Sequence, residues 1–251
     1  MKQKNPFTII HEDDHIVAVN KISGIAVSPD RWDENKERLD RLVSAFLNLE
    51  KIYTVHRIDR DTSGLVVFAK DEETHKLLSE AFENRSIHKR YIAVINGRPS
   101  WAEADCDFGL VPNGNKLHHT IVDKFRGKKS LTHFKLLGTA GNYSVIEAVP
   151  ETGRTHQIRV HLASLGYPIA GDEFYGNAKP VFLSAIKRGW RGDPLDEKPL
   201  LARLGLHAAE LSIPDYPPGN GEGLKLKAPL PRDMAALINQ MEKTAGASFG
   251  V

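Results

Sequence analysis

Grouped apolar residues along the chain predict several β-strands. Residues 16–20 are apolar and largely β-branched, and Ser23 and Gly24 follow, so the pattern predicts an early strand that runs into a glycine turn. Residues 65–69 form a continuous apolar run that is typical of a central strand. Residues 91–95 and 143–148 predict two further strands, which we expect to be antiparallel neighbours.

Apolar residues at three- and four-residue spacing predict four helices. The first covers residues 36–49, and the second follows Asp71. The third, residues 155–165, is expected to be short and polar-faced and to end at Gly166. The fourth follows Pro231 and precedes a tail, residues 245–251, that we expect to fray. The inner face of the second helix is expected to carry Leu77, Leu78, Ala81 and Phe82.

The composition is that of a folded globular protein. Of 251 residues, 41% are hydrophobic and 26% are charged, which argues against disorder, collagen and coiled coil. Because we find no repeat, low-complexity block or linker, we predict one α+β domain over residues 1–251. The single cysteine, Cys106, cannot form an internal disulfide, and the opening residues lack the apolar run of a signal peptide. We therefore expect a cytoplasmic protein that does not bind membranes.

The charges nearly balance, since 34 basic and 32 acidic residues give a formal net charge of +2. Such a chain is not a nonspecific polyanion coat, so a polyanionic partner has to bind a local basic patch. The candidate patches are residues 89–90, 124–129 and 187–191. Taken alone, each is also compatible with an ordinary solvated loop.

Residues 56–64 concentrate ionisable groups directly before an apolar run. The end of this stretch has the composition of a hydrogen-bonded surface turn. A turn does not explain Asp59, which has Arg57 and Arg60 on its two sides. These arginines favour the ionised carboxylate, which is then available as a nucleophile or a base.

A second polar cluster, residues 151–161, combines a glycine turn with the start of the third predicted helix. His156 and Arg159 are three residues apart and share one side of that helix. An arginine in this position can hold a carboxylate from another segment in a bidentate pair. A surface helix with solvated arginines is the alternative at this point.

Two other chemistries fit less well. Ser63 is a conceivable hydrolase nucleophile, but the chain lacks the Gly-x-Ser-x-Gly motif and Ser63 precedes its strand. His156 and His161 are five residues apart and turn away from each other on a helix, unlike the histidines of zinc helices. We therefore expect no metal site.

Three segments carry a specific signal when they are taken together. They are His-Arg-Ile-Asp-Arg-Asp-Thr-Ser-Gly at 56–64, Lys-Arg-Tyr-Ile-Ala-Val at 89–94 and Thr-Gly-Arg-Thr-His-Gln-Ile-Arg-Val-His-Leu at 152–162. In sequence and order they closely resemble the RluA-type family of RNA pseudouridine synthases. Shorter matches at 168–172, 175–176, 206–208 and 228–231 extend the resemblance over almost the whole chain.

The resemblance implies a pseudouridine synthase-like α+β fold, with a large mixed, mainly antiparallel sheet flanked by helices and loops. It also implies that a uridine in structured ribosomal or transfer RNA is flipped out and isomerised to pseudouridine. Asp59 matches the catalytic aspartate, acting as nucleophile or base, and Arg159 matches the arginine that pairs with it. Tyr91 matches the tyrosine that stacks on the base and is a candidate for removing the C5 proton. No redox change occurs, so no cofactor is expected.

Further residues are expected near the RNA on the same resemblance. Arg57 matches the residue that fills or braces the space the base vacates. Gly64 is expected to let the backbone approach the RNA closely, while His56, Thr62 and Ser63 shape the loop. The remaining expected substrate or RNA contacts are Lys128, Lys129, Arg154, Thr155, His156, Gln157 and Leu206.

Two departures from the family pattern affect these expectations. The family commonly has Lys-Pro-x-Gly near its start, whereas this chain has Ile22 in place of proline, so we expect a less rigid turn. Many relatives carry an N-terminal RNA-binding domain for which this chain has no room. We therefore expect the catalytic body and its basic patches to bind the RNA, as a monomer without an obligatory protein partner.

One alternative function comes from another class. The chain could be a catalytically silent RNA-binding or RNA-chaperone protein that retains the same fold. The presence of Asp59, Tyr91 and Arg159 together argues against this alternative.

Overall fold

The structure is a computed structural model that describes residues 5–29, 37–217 and 221–251. The chain forms two compact units, Met1–Lys89 with Ala208–Pro229 and Arg90–His207 with Leu230–Val251. The expectation of a single domain over residues 1–251 stays a prediction. Within the described ranges, no helix combines the length and the apolar character that crossing a membrane requires.

The first unit is built mainly of strands, with two helices. Its elements are β1 (Phe7–Glu12), β2 (Ile16–Lys21), α1 (Leu39–Phe46), β3 (Tyr53–Thr54), β4 (Ser63–Ala69), α2 (Glu72–Glu83), most of β11 (Leu206–Ile213) and β12 (Leu224–Lys227).

The second unit contains the other six strands and two helices of the described chain. Its elements are most of β5 (His88–Asn96), then β6 (Glu103–Cys106), β7 (Leu110–Val111), β8 (Ile121–Val122), β9 (Thr132–Ala140), β10 (Tyr143–Pro150), α3 (Gln157–Ser164) and α4 (Arg232–Ala245).

Strand β4 is the centre of the sheet in the first unit. The strands lie in the order β1-β2-β4-β11, and β12 pairs with β11. Strands β1, β2 and β4 pair antiparallel, with Val19 opposite Val66 and Lys21 opposite Gly64. Every residue of β4 is buried, which confirms the central strand predicted from the apolar run.

The sheet of the second unit has the order β5-β10-β9-β6, and each of these neighbours pairs antiparallel. Tyr91 of β5 lies opposite Ala148 of β10, so the two strands predicted at 91–95 and 143–148 are indeed antiparallel neighbours. Helix α4 packs against β9 with its buried side chains, which are Met234, Leu237, Ile238 and Met241.

The first two helices are partly as predicted. Helix α1 begins at Leu39; the predicted start at Lys36 lies outside the described residues. Helix α2 is capped by Asp71, whose Oδ1 accepts a hydrogen bond from the backbone N–H of Thr74 at 2.7 Å. Leu78 is buried as expected, but the inward position of Leu77 was wrong, since this side chain is exposed.

Helix α3 is not polar-faced, and this expectation was wrong. Every residue from Gln157 to Leu162 is buried, including Arg159 and His161. Their polar atoms are hydrogen-bonded inside the protein, so polarity along the helix does not mark a solvent-facing side. The helix ends before Gly166, whose φ of +89° fits the predicted left-handed position.

The C-terminal tail is packed, although we expected it to fray. The Glu242 carboxylate accepts a hydrogen bond from the backbone N–H of Phe249 at 2.6 Å. Phe249 is buried against Gly138 of β9, where an added Cβ atom would lie 2.2 Å from the aromatic ring. Because residue 138 is a glycine and has no side chain, it leaves the space that Phe249 fills.

Cys106 lies at the end of β6 and is almost completely buried. Burial, with a smaller effect of the Asp107 charge, raises the pKa of its thiol to about 11.

Candidate active site

Asp59 lies in the loop of residues 56–62 between β3 and β4, here called the Asp59 loop. The backbone N–H of Thr62 donates to the carbonyl of Asp59 at 3.1 Å and closes a turn. Ile58 points inward and is buried, whereas Asp59 is half-buried and Arg57 is exposed. The loop therefore presents the aspartate and the arginine from a backbone that is anchored between them.

Lys21 holds this loop in place through hydrogen bonds from its side-chain ammonium group. Its side chain is only 1% exposed, and Nζ donates to the carbonyls of Ile22, Ile25 and Arg60 at 3.0, 2.8 and 2.9 Å. An ammonium has three N–H groups, so each of them has a carbonyl acceptor. The carbonyl of Arg60 also accepts from the backbone N–H of Gly24 at 2.9 Å. The residue after Asp59 is thereby tied to the turn that follows β2.

The turn after β2 is not loosened by Ile22. Its backbone N–H donates to the carbonyl of Pro6 at 3.0 Å, a bond that proline cannot make. Ser23 Oγ donates to the carbonyl of Asp61 at 2.7 Å. The expected loss of rigidity was therefore wrong, because a hydrogen bond replaces the constraint of the proline ring.

His56 joins the Asp59 loop to β4. Its Nε2 lies 3.0 Å from the backbone nitrogen of Val67 and accepts that N–H, and its ring stacks on Phe82 at 4.6 Å between centroids. Burial, with a smaller effect of the Lys89 charge, lowers the pKa of His56 to about 3. The imidazole is therefore neutral at pH 7, and its structural contacts fit the expected role in shaping the loop.

The last residues of the predicted motif face the protein interior. Thr62 and Ser63 are each 1% exposed, and β4 begins at Ser63. Among the described residues, Thr62 Oγ1 is a buried polar atom without a hydrogen-bond partner. Both side chains are placed to shape the loop and not to contact RNA directly.

Gly64 makes a close approach within the protein itself. Its φ is +117°, and a Cβ atom would lie 2.2 Å from the carbonyl oxygen of Ala208 in β11. Only glycine fits this position. The structure thus explains Gly64 by packing against Ala208, and the expected close approach to RNA stays a prediction.

Arg159 and Asp172 form a buried ion pair in the second unit. Nε and Nη2 of Arg159 donate to the two carboxylate oxygens of Asp172, each at 2.8 Å, and the side chains are 4% and 0% exposed. Burial alone raises the pKa of Asp172, but Arg159 and the backbone N–H groups of Phe174 and Tyr175 outweigh it and lower that pKa overall. The guanidinium is therefore fixed and remains charged.

Aromatic rings complete the surroundings of Arg159. Its guanidinium carbon lies 5.0 Å from the ring centroid of Phe174 and 5.3 Å from that of Tyr175. The hydroxyl of Tyr175 accepts from the backbone N–H of Thr120 at 3.0 Å and lies 2.9 Å from Nδ1 of His156. His156 itself is in the left-handed conformation with φ +55° and precedes α3. The predicted neighbours His156 and Arg159 are thus brought together through Tyr175.

The expected pairing of Arg159 with Asp59 stays a prediction. Asp59 belongs to the first unit, whereas Tyr91 and Arg159 belong to the second. Tyr91 is half-buried on β5 and packs against the core of its unit. The buried carboxylate that the structure gives Arg159 is Asp172.

Two residues expected at the RNA are structural. Gln157 is buried: its Oε1 accepts from Thr152 Oγ1 and the N–H of Arg154, and its Nε2 donates to the carbonyl of Leu131. Leu206 is 3% exposed and belongs to the core of the second unit. Their burial gives both side chains a structural role, and the expected RNA contact by these two residues stays a prediction.

Other expected RNA contacts lie at the surface. Lys128, Lys129 and Thr155 are exposed, and Arg154 is half-buried with its Nε donating to the carbonyl of Lys129 at 3.2 Å. Lys187, Arg188 and Arg191 are exposed as well. Arg90, by contrast, is paired with Glu147 on β10, and its expected phosphate contact stays a prediction.

Sequence reasoning assigned no role to Lys21, Asp172 or Tyr175. Each lies in a segment that we did note, at the Lys-x-x-Gly turn and in the matches at 168–172 and 175–176. Within the described part of the chain, no group of three or more histidine, cysteine or carboxylate side chains is arranged to hold a metal ion.

Comparison with known proteins identifies relatives of the chain. The family model of RNA pseudouridylate synthases matches residues 15–164. Ribosomal large subunit pseudouridine synthase D of Zymomonas mobilis is 33% identical over 247 residues, which cover 95% of this chain and 74% of that protein. The protein of the same name from Neisseria meningitidis is 36% identical over 242 residues, and the chain spans 62% of it, less than two thirds of its length.

Solved structures support the fold. Human RNA pseudouridylate synthase domain containing 4 aligns with a TM-score of 0.69 at 22% identity, over 93% of this chain and 92% of that one. Human RNA pseudouridylate synthase domain containing 1 aligns with the same TM-score at 24% identity, over 92% of this chain and 86% of that one. These likenesses confirm the predicted α+β fold. Together with the family model and the two bacterial relatives, they lead to one conclusion: the chain belongs to the RNA pseudouridylate synthase family.

Proposed function

We propose that this RNA pseudouridine synthase modifies a uridine of large-subunit ribosomal RNA. The observation that carries the proposal is the match to proteins named for that substrate, which extends over 95% of the chain. The matched length includes Asp59, Tyr91 and Arg159. Transfer RNA, the other substrate considered from the sequence, lacks this support.

The proposed reaction moves one bond of the nucleoside. The N1–C1′ bond breaks and a C5–C1′ bond forms, while C5 loses a proton and N1 gains one. Atoms and electrons balance, so the proposal requires no cofactor. The uridine first leaves its base stack, because a sugar and a C5 edge inside folded RNA are inaccessible to a protein carboxylate.

Asp59 is the proposed catalytic carboxylate. The bonds of Lys21 to the Arg60 carbonyl and of Thr62 to the Asp59 carbonyl fix the backbone on which it stands. A fixed backbone holds the carboxylate in one orientation toward the sugar, which is the geometric requirement for either nucleophilic attack or proton transfer.

Arg159 and Arg57 have different proposed roles. Arg159 is a positioning residue whose Nε and Nη2 are held by Asp172. Arg57 is exposed beside the buried Ile58 and can stack on the bases that the flipped nucleotide leaves behind. Tyr91 is proposed to stack on the flipped base and is the candidate that accepts the C5 proton.

The test compares Asp59→Asn with Asp61→Asn, a matched change two residues away at a carboxylate that pairs with Arg60. Large-subunit ribosomal RNA and transfer RNA from cells lacking this gene are incubated with each protein, and pseudouridine is mapped by carbodiimide-dependent primer extension. We expect product on the large-subunit RNA with the wild-type protein and with Asp61→Asn, and none with Asp59→Asn. Affinity of Asp59→Asn for RNA should stay within about tenfold of wild type.

Three other results would contradict parts of the proposal. Product on transfer RNA alone would overturn the substrate, and normal turnover by Asp59→Asn would overturn the role of Asp59. RNA binding without product on any RNA would favour the silent RNA-binding alternative. The proposal also includes a cytoplasmic monomer without an obligatory protein partner; sedimentation of the active protein and cell fractionation test these two points.

A further inference from the structure

Phe125 is the most exposed of the large hydrophobic side chains in the described part of the chain. It is 97% exposed, and it lies in the turn of residues 123–127, here called the Phe125 turn. The turn belongs to the segment that follows β8 in the second unit. An aromatic ring left in water contributes little to the stability of the fold, and it offers a flat apolar surface to a ligand.

The turn is built to hold the ring in this position. Oδ1 of Asp123 accepts the backbone N–H groups of Phe125 and Arg126, both at 2.9 Å, and Oδ2 accepts Nε of Arg126 at 2.9 Å. The N–H of Gly127 donates to the Asp123 carbonyl at 2.9 Å and closes the turn. These hydrogen bonds lower the pKa of Asp123, those from the backbone of Arg126 and Phe125 most, so the carboxylate stays ionised.

The base of the turn is equally constrained. Leu110 and Lys128 exchange backbone hydrogen bonds at 3.0 and 2.9 Å, and Leu110 is buried. Gly127 packs directly on Gly109, where a Cβ atom would lie 2.2 Å from the carbonyl carbon. The ring is thus presented by a rigid backbone and not by a loose loop end.

Both ends of the segment are attached to the surroundings of Arg159. Thr120 donates to the Tyr175 hydroxyl at 3.0 Å, and the carbonyl of Lys129 accepts from Arg154 at 3.2 Å. Ser130 Oγ lies 3.0 Å from Nε2 of His161 in α3. A ligand held by Phe125 is therefore held by the same unit that carries Arg159.

The exposed charged residues in the Phe125 turn and directly after it are all basic. Lys124, Arg126, Lys128 and Lys129 are all exposed, whereas the carboxylate of Asp123 is used inside the turn. A flat ring surrounded by cations matches single-stranded RNA, in which an unstacked base can lie on the ring while phosphates contact the lysines. An acidic protein partner would also pair with the cations, but RNA is the substrate class of the family to which this chain belongs, so RNA is the ligand that we take.

We propose that the Phe125 turn binds an unpaired nucleotide of the substrate RNA, with the base stacked on Phe125 and flanking phosphates neutralised by Lys124 and Lys128. This inference rests on the proposed function only in taking RNA as the ligand. It assigns Phe125 a part in choosing substrates with unpaired bases near the target uridine.

The test measures binding of two fluorescein-labelled RNAs by fluorescence anisotropy. One is a hairpin with an unpaired loop, and the other is a blunt duplex of the same base composition. Phe125→Ala should bind the hairpin about tenfold more weakly and the duplex as the wild type does, because base stacking on an aromatic ring is lost. Phe125→Trp should restore hairpin binding, whereas Phe125→Leu should not. Leu195→Ala, at a side chain that is 93% exposed in another loop, is the matched control and should change neither RNA.

Lys124→Ala should weaken the binding of both RNAs to the same extent, and it should make the slope of log affinity against log salt concentration shallower by about one unit. Equal hairpin binding by Phe125→Ala and Leu195→Ala would overturn the proposal, and so would full rescue by Phe125→Leu. Failure of the proposed function looks different: Phe125-dependent hairpin binding without pseudouridine in any RNA. If pseudouridine forms but Phe125→Ala binds the hairpin as tightly as the wild type does, the proposed function stands and this inference is rejected.

Discussion

Arg159 and Asp172 are joined by two parallel hydrogen bonds of 2.8 Å, in a place where neither side chain is open to water. Burying two charges costs free energy that only their close pairing and further hydrogen bonds offset. Asp172 receives that support from the backbone N–H groups of Phe174 and Tyr175. The pair therefore fixes the position of Arg159 and makes α3 depend on a residue that follows it in the chain.

Asp172→Asn should destabilise the protein strongly. It removes the carboxylate charge that pairs with Nε and Nη2 of the buried guanidinium, and breaking such a pair costs about 3 kcal/mol or more of unfolding free energy. Asp233→Asn is the matched control, because Asp233 pairs with Arg203 at 2.7 Å but is 36% exposed. Its loss should be about 1 kcal/mol or less. Urea unfolding at pH 7 measures both, and equal losses would show that burial of Arg159 does not govern its dependence on Asp172.

Lys21→Met should damage both stability and turnover. The change keeps an unbranched side chain, one heavy atom shorter, but removes the donors to the carbonyls of Ile22, Ile25 and Arg60. We expect a loss of about 2 kcal/mol from unsatisfied buried carbonyls and a kcat lowered by about tenfold, since the Asp59 loop loses its anchor. Lys225→Met, at a 59% exposed side chain, should change stability by less than about 0.5 kcal/mol. Wild-type turnover by a folded Lys21→Met protein would contradict the anchoring role.

Gly64→Ala should be more destructive than an ordinary loss of glycine. The new Cβ would lie 2.2 Å from the Ala208 carbonyl oxygen, in addition to the strain of φ at +117°. Gly166→Ala separates the two effects, because φ is +89° there and nothing lies within 4 Å of the added atom. We expect about 1 to 2 kcal/mol for Gly166→Ala and at least about 3 kcal/mol for Gly64→Ala, by thermal unfolding. Similar losses of unfolding free energy in the two variants would mean that β11 moves away from the new Cβ atom without a cost in stability.

His56 should make stability fall in weak acid. The pKa of the folded protein's His56 is about 3, below the ordinary 6.5, because burial disfavours the imidazolium. Its stabilising contribution is therefore present above pH 6.5 and is lost as the pH falls from 6.5 toward 3, since the unfolded chain takes up the proton first. His56→Gln should unfold with a shallower pH dependence in that window, measured by urea denaturation.

His133 provides a control of opposite sign. Its hydrogen bonds to Glu151 and Asp105 raise the pKa of its imidazole, so its contribution is present below pH 6.5 and is lost as the pH rises through the higher folded value. The loss of unfolding free energy in His133→Gln, relative to the wild type, should therefore be larger at pH 5.5 than at pH 8.5. The same pH response in both variants would show that neither histidine dominates the titration.

The elements that sequence predicted best are those whose burial is uniform. Strand β4 and helix α4 carry apolar residues wherever they face the core, so the pattern alone defines them. The helix at 155–165 was predicted correctly, but its expected polar face was wrong because the buried Gln157, Arg159 and His161 have hydrogen-bond partners inside the protein. The sequence pattern shows which positions are polar, but it does not show whether a polar side chain has a hydrogen-bond partner inside the protein.

The candidate catalytic residues were predicted by motif, and the residues that hold them in place were not. Asp172 lies 13 positions after Arg159, and nothing in the local pattern shows that a turn brings the two together. Lys21 sits at the end of a strand, where a lysine ordinarily reaches solvent. Three carbonyls from two separate segments explain why it is buried instead, and only coordinates contain that information.

The buried thiol of Cys106 has a practical consequence for spectroscopy. With a pKa of about 11, it carries almost no thiolate at neutral pH, and its sulfur is out of reach of maleimide reagents while the fold is intact. Because the chain has no other cysteine, a single engineered one on the surface accepts a fluorophore or a spin label selectively. The surroundings of that label can then be followed during RNA binding without first removing the native residue.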